Sequence, residues 1–188
     1  FVMKIKLTTI LTMLSLALFA QKTPSVAVLD FDTRGYDEVA RQQIIQKLTL
    51  EMINMEGYEV IDNYDVEYIS ERDGVDFTGC FSRICLKELG EKLQVDYILT
   101  GSMNLLGEKV STTVRLFDVT KGSFVNSANR NYVDVPKNDL LMAELTLKDM
   151  MGLENDPELV RRVTVANDYE NILNNPFDRT IVAEGPRM

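Results

Sequence analysis

The spacing of apolar residues changes several times along the chain, and each spacing predicts an element. Short apolar runs predict buried strands at residues 25–31, 58–62 and 95–100. Between them, helical spacing follows Asp37, spans residues 65–71 and follows Ser82, and both Asp37 and Ser82 are favourable helix caps. The predicted buried face of the first helix consists of Ala40, Ile44, Ile45, Leu48, Met52 and Ile53.

From residue 110 the apolar period becomes two, which is typical of strands with one buried face. The turn at Lys121-Gly122 predicts an antiparallel hairpin that returns over residues 124–133. A last helix is expected to begin at Asn138 or Asp139. We expect the helices containing Ala40 and Leu86 to cover the apolar face of the hairpin, formed by Val110, Val114 and Leu116. The opposite, polar face carries Lys109, Ser111, Thr113 and Arg115.

The order of these elements, βαβ(α)αββα, predicts an α+β fold with helices packed against a mixed sheet. We assign residues 22–152 to this domain. Residues 1–21 have the basic start, apolar run and small residue of a secretory signal segment, without a second candidate span after it. Residues 153–188 are expected to be a polar tail or the start of a following domain that is cut short.

Composition excludes more functions than it identifies. The 188 residues carry a net charge of −9, and a phosphate-binding surface needs clustered Lys and Arg, so we expect no nucleic-acid partner. The absence of His excludes Ser-His-Asp and Cys-His catalysis. Glycine-rich phosphate loops are also absent. We therefore expect no cofactor, no metal and no catalytic residue.

Asp30 and Asp32 form the one motif that suggests an enzyme. An apolar strand ending in Asp-x-Asp-x-Thr resembles the first motif of haloacid-dehalogenase-type phosphatases, in which the first Asp attacks phosphorus beside Mg²⁺. Such an enzyme needs another acidic pair after a later strand, and the sequence offers only the single Asp118 there. We therefore favour the alternative that both aspartates are strand-end and turn residues.

Cys80 and Cys85 are the only cysteines of the chain. In an exported protein an isolated pair favours a disulfide over a zinc site, because two thiolates cannot complete tetrahedral coordination. With Ser82 as the cap, Cys85 lies in the first turn of a helix and Cys80 just before it, close enough to bridge. Free thiols and a redox-active pair remain alternatives.

The returning strand of the hairpin is polar on both faces in its middle. This pattern fits an edge that pairs with another chain, or a solvated edge that its polarity protects. We expect partner contacts or self-contacts to involve residues 123–133. The candidate interaction residues are Asn126, Asn129 and Arg130.

Four segments together resemble a known family. They are VAVLDF at 26–31, the cysteine pair leading into Glu88-Leu-Gly90, VDYILTGS at 95–102 and TVRLFDVTKG at 113–122. Residues 24–151 resemble the periplasmic domain of curli-secretion-channel (CsgG-type) proteins. They are also similar to the TolB amino-terminal domain and to lipoprotein activators of penicillin-binding proteins.

The resemblance implies a non-catalytic module with an anticodon-binding-like or TolB-N-like layer in the Gram-negative periplasm, also in association with the outer membrane. Its implied partners are envelope proteins or further copies of itself. The alternatives are a component of an outer-membrane secretion channel and a magnesium-dependent phosphatase using Asp30 and Asp32. The lipobox cysteine of the channel proteins is absent from this sequence.

Overall fold

The computed structural model describes residues 23–76, 78–135 and 137–164. The expected signal segment and all but the first part of the expected tail lie outside these residues. The elements in chain order are β1 (Ser25–Arg34), α1 (Glu38–Asn54), β2 (Glu59–Ile61), α2 (Asn63–Asp73), α3 (Arg83–Leu93), β3 (Tyr97–Leu106), β4 (Lys109–Asp118), β5 (Ser123–Val133), α4 (Asp139–Met151) and α5 (Pro157–Thr164).

The five strands form one mixed sheet in the order β2-β1-β3-β4-β5. β1 pairs in parallel with β2 and with β3, whereas β4 is antiparallel to both β3 and β5. This confirms the predicted α+β fold with helices against a mixed sheet. The three strands predicted at 95–100, from residue 110 and at 124–133 all follow α3, so the observed order has one strand more than βαβ(α)αββα, and α5 follows α4.

The helix starts lie where capping chemistry places them. The Asp37 carboxylate accepts from the Ala40 N–H at 2.8 Å, and the Ser82 hydroxyl accepts from the Cys85 N–H at 3.3 Å. Both caps confirm the predicted helix starts, because side-chain oxygens at these positions satisfy N–H groups that have no partner inside the helix. Asn138 precedes α4 without a side-chain capping bond, and Gly152 ends α4 in a left-handed conformation.

The two faces of the sheet carry separate cores. α1 and α4 contribute Leu48 and Met142 to the core on the Val110 face, and Val163 of α5 joins the same core. α3 contributes Leu86 to the opposite core, next to Phe117.

The expectation that the Leu86 helix covers the Val110 face is therefore wrong. The connection from β1 to β2 and the connection from β2 to β3 run in opposite directions across the sheet. Because parallel crossovers are right-handed, the two connections have to place their helices on opposite faces. The predicted burial of Ile53 is also wrong, since this side chain is 54% exposed. Ile53 lies about 180° around α1 from the buried Ile44.

β1 contains one residue more than the stretch of β3 that it pairs with. Val28 pairs with Leu99 and Phe31 with Gly101, so the register shifts between these two pairs. The Asp30 carboxylate accepts from the Phe31 N–H at 2.8 Å, and the Asp30 carbonyl oxygen accepts from the Thr100 hydroxyl at 3.0 Å. The resulting β-bulge turns Phe31 into the core beside Gly101. Gly101 has no side chain, so the Phe31 ring can lie against its backbone.

A line of four charged side chains joins α1 to α4. Lys47 Nζ lies 2.5 Å from Glu51 Oε1 and 2.7 Å from Glu144 Oε2, and Lys148 Nζ lies 2.5 Å from Glu144 Oε1. Burial alone would raise the pKa of Glu144, but the two ammonium groups lower it below its ordinary value of 4.5. Glu144 is therefore charged at neutral pH and holds the two helices together.

We expect Gly101→Ala to lower the free energy of unfolding by about 3 kcal/mol, because the added methyl group has no space. It would lie 2.0 Å from the Thr113 carbonyl oxygen and 2.6 Å from the Phe31 ring. Urea denaturation followed by circular dichroism measures the change. Ser102→Ala, at a half-buried position on the opposite face, is the control and should change stability by no more than about 0.5 kcal/mol. Equal stability of the two variants would contradict the packing argument.

We expect Glu144→Gln to lower the free energy of unfolding at pH 7 by about 1 kcal/mol, since it removes the shared partner of Lys47 and Lys148. The folded-state pKa of Glu144 is depressed, so its contribution is complete above pH 4.5 and is lost as the pH falls below that value. Denaturation curves of parent and variant should therefore converge in acid. Glu158→Gln, which removes an exposed pair with Arg161, should show no measurable pH-dependent difference. A constant difference between parent and Glu144→Gln down to pH 3 would refute the ionic explanation.

Candidate functional site

The sheet is covered unevenly. α1, α4 and α5 pack over one face, whereas the core under α2 and α3 is formed by β1, by the start of β3 and by the turn end of the β4–β5 hairpin. The rest of the hairpin on this second face carries small polar side chains that are exposed or half-buried. They are Ser111, Thr113, Ser127, Asn129 and Asn131. The predicted polar face of the hairpin is therefore present and has no helix packed over it among the described elements.

The two edges of the sheet differ in length and exposure. β2 has three residues, whereas β5 has eleven, most of them exposed. Nothing in the described part of the chain pairs with the outer side of β5. Natural edges are often blunted by short length, by Lys or by Pro. β5 contains neither Lys nor Pro, and Arg130 is its only charged residue.

A register shift interrupts β5 near its start. Leu116 pairs with Asn126 and Phe117 with Phe124, so Val125 is an extra residue in β5. Beyond this bulge, residues 126–133 pair with β4 without interruption. Main-chain pairing with another strand is therefore possible along these residues, because a bulge protects an edge only locally.

The three candidate interaction residues have different surroundings. Asn126 is exposed. The Asn129 amide donates to the Thr113 hydroxyl at 2.7 Å, and Arg130 Nε donates to Asp149 Oδ2 at 2.5 Å. Arg130 thus joins β5 to α4 while its side chain stays 57% exposed.

Arg115 shapes the same face next to the hairpin turn. Its guanidinium lies 4.5 Å from the centre of the Phe124 ring, which is a favourable cation–π distance. Its Nε atom is buried and has no hydrogen-bond partner within the described structure. Arg115 therefore packs the turn end of the hairpin onto the sheet.

The turn of the hairpin lines a small pocket. The pocket has a volume of about 300 Å³ and is bordered by Pro24, Asp96, Tyr97, Asp118, Thr120 and Lys121. Asp118 accepts from the Lys121 N–H at 2.8 Å and lies 2.9 Å from Lys121 Nζ. The hydrogen bond from Lys121 lowers the pKa of Asp118, so this carboxylate is charged and already paired. We assign the Asp118–Lys121 pair to closing the turn.

Asp30 and Asp32 are each engaged with an arginine. Asp30 is held by an ion pair with Arg41 and accepts from the Gly79 N–H at 3.3 Å. Asp32 lies 3.6 Å from Arg34. In residues 23–76, 78–135 and 137–164, no group of three or more His, Cys, Asp or Glu side chains is placed to hold a metal ion. The phosphatase alternative is therefore not favoured.

Cys80 and Cys85 are joined in a disulfide in the structure, with their Cα atoms 5.7 Å apart. The Cys80 side chain is buried in the core under α3. Because Gly79 donates to Asp30, the disulfide loop is also attached to the bulge of β1. The disulfide thus stabilises the segment that connects α2 to α3.

The fold is similar to those of two solved bacterial proteins. The LpoB C-terminal domain from Salmonella enterica matches with a TM-score of 0.50 at 13% identity, over 60% of this chain and 84% of that domain. Lipoprotein GNA1162 from Neisseria meningitidis matches with a TM-score of 0.50 at 18% identity, over 69% of this chain and 96% of that protein. No protein-family profile and no curated protein sequence matches this chain.

A third similarity is too slight to bear on the fold. TolB from Acinetobacter baumannii matches with a TM-score of 0.42 at 12% identity, over 70% of this chain and 28% of that protein. The first two similarities show that the domain has the α+β fold of the LpoB C-terminal domain. This confirms, at the level of the fold, the predicted resemblance to envelope lipoprotein domains. The resemblance to CsgG-type channels stays a prediction.

We expect mass spectrometry of peptides from the non-reduced protein to show Cys80 linked to Cys85. Replacing both residues by Ser should lower the free energy of unfolding by about 2 kcal/mol, since the short ring no longer restricts the unfolded chain. The far-ultraviolet circular dichroism spectrum should stay unchanged. Complete alkylation of both thiols without a reductant would contradict the assignment.

Proposed function

We propose that this chain is a protein-interaction module of the bacterial periplasm, and that it works by binding and not by turnover. The observation that carries the proposal is the β5 edge, which is long, exposed and almost uncharged, on a fold similar to that of the LpoB C-terminal domain. The expected signal segment and the disulfide support a location outside the reducing cytoplasm.

The chemistry of the edge indicates the kind of partner. Unpaired main-chain groups of an edge strand recruit an extended segment of another protein through a ladder of hydrogen bonds. Apart from Arg130, the exposed side chains next to that ladder at residues 126–133 are Asn and Ser, which donate and accept hydrogen bonds without demanding a charged partner. We infer an extended, polar segment of an envelope protein as the partner.

A role within an outer-membrane secretion channel is a narrower form of the same proposal. It rests on the sequence resemblance to CsgG-type proteins, and no contact in the structure favours it over binding to other envelope proteins. In the described part of the chain, no helix has the length and apolar character needed to cross a membrane.

We expect a photo-reactive amino acid at Ser127 to yield a discrete cross-linked product with another envelope protein in cells that produce this chain. Ser127 is exposed in the middle of β5. The same label at Glu88, which is exposed on α3, is the matched control and should yield no such product. Gel electrophoresis detects the product, and mass spectrometry identifies the partner.

Two proline variants separate main-chain pairing from side-chain contact. In an antiparallel edge strand, consecutive residues direct their N–H groups alternately to the neighbouring strand and outward. One of Ser127→Pro and Ala128→Pro should therefore unfold at a lower temperature, and the other should keep its melting temperature. With the label moved to Asn129, the stable proline variant should lose the cross-linked product. Persistence of the product in that variant, or a product at Glu88 alone, would refute pairing along β5.

A further inference from the structure

α1 has a second apolar side, which lies outside the two cores of the described residues. Val39, Leu50 and Ile53 are 65%, 58% and 54% exposed, although all three are large aliphatic residues. Gln43 and Gln46 lie between them and are also exposed. At about 100° per residue, these five side chains fall within an arc of about 80°. We call these five residues the outer stripe of α1.

The outer stripe carries no charge. The charged residues of α1 lie outside its arc and form ion pairs there. Arg41 pairs with Asp30 and with Glu38, and Lys47 pairs with Glu51 and with Glu144. A solvated helix face is normally charged. An uncharged stripe with three exposed aliphatic side chains is therefore a surface suited to contact with another helix.

The spacing within the outer stripe is that of a helix-pairing seam. From Val39 the successive residues lie 4, 3, 4 and 3 positions apart. This is the spacing of the two contact positions of a heptad, which keeps a seam facing a partner helix. Across the first four residues the order is apolar, polar, polar, apolar, so the pattern reads the same in both directions.

We propose that two copies of this chain associate by antiparallel packing of α1 against α1, about a two-fold axis between Gln43 and Gln46. In this register Val39 faces Leu50 of the second copy, and Gln43 faces Gln46 of the second copy. Each amide has a donor and an acceptor, so the two glutamine pairs satisfy each other. An axis through Gln46 would instead bury Gln43 against Leu50, which leaves an amide without a partner.

Charge and size limit how strongly and through which surface two copies can associate. The chain has a net charge of −9, so two copies repel one another least where they meet through an uncharged surface. Val39 and Leu50 are about 16 Å apart along the helix, which makes the interface small. The dimer is therefore a weak one that depends on protein concentration. This inference is independent of the proposed role of β5.

Cysteine cross-linking tests the register directly, because both native cysteines are already paired. A mixture of the Val39→Cys and Leu50→Cys variants should form a disulfide-linked dimer under mild oxidation, whereas neither variant should do so alone. In the antiparallel pair the two copies of residue 39 lie about 16 Å apart, which is beyond disulfide reach. Leu106→Cys mixed with Leu50→Cys is the collision control, since Leu106 is 63% exposed at the β3–β4 hairpin.

Sedimentation equilibrium of the purified protein tests the surface without cross-linking. Leu50→Lys should weaken self-association at least about tenfold, because each copy would bury a charge against Val39. Leu106→Lys should leave the association unchanged. The proposal is overturned if the parent stays monomeric at millimolar concentration, if each cysteine variant dimerises alone as well as the mixture does, or if both lysine variants associate like the parent.

Should Leu50→Lys disturb the fold, the cysteine mixture still decides. The photo-cross-link at Ser127 is expected to survive Leu50→Lys, because α1 and the β5 edge are different surfaces. Loss of the dimer with retention of the Ser127 product would therefore separate this inference from the proposed function.

Discussion

A single extra residue in β1 determines how the rest of the domain is arranged. The bulge between Val28 and Phe31 changes which face of the sheet the following side chains meet. Phe31 enters the core under α1 and α4, and Asp30 is left at the rim, where it contacts Arg41 of α1 and Gly79 of the disulfide loop. The acidic motif that resembles a phosphatase therefore joins three segments of the fold.

The segments that resemble the envelope family also have structural roles. Gly101 leaves room for the Phe31 ring, and a methyl group at Gly90 would lie 2.3 Å from Val119. Asp118 closes the hairpin turn with Lys121, and Gly122 adopts a left-handed conformation there. These positions allow close approaches inside the fold, and domains with different binding partners can share them. This explains why the resemblance anticipates the fold and leaves the partner unspecified.

Local sequence patterns predicted the helices and strands. They did not predict which face of the sheet a helix covers or which side of a helix is buried. Capping residues such as Asp37 and Ser82 predicted helix starts, because their chemistry acts within one turn. The face that α3 covers depends on the handedness of two crossovers, and apolar spacing does not report that. The predicted burial of Ile53 is wrong for a related reason, since an apolar residue on a helix does not show which side of that helix packs against the sheet.

The sequence predicts the strand that carries the candidate interaction residues, but it does not predict the contacts of their side chains. The polar pattern of residues 123–133 predicted the strand that forms the edge of the sheet. The pairing of Arg130 with Asp149 has no signal in the sequence, because it depends on the register between β5 and α4. The sequence also gives no signal for the bulge at Val125, since a bulge follows from the pairing of two strands and not from one strand alone.

The position of β1 also bears on how the chain assembles. β1 lies between β2 and β3, yet both neighbours come later in the sequence, and β3 begins only at Tyr97. β3, β4 and β5 follow one another with short turns, so their pairing needs little loop closure. During synthesis from the amino end, β1 therefore reaches its place beside β3 only after β3 has been made. The first strand of the described residues becomes an interior strand of the finished sheet only when β3, which begins at Tyr97, has folded beside it.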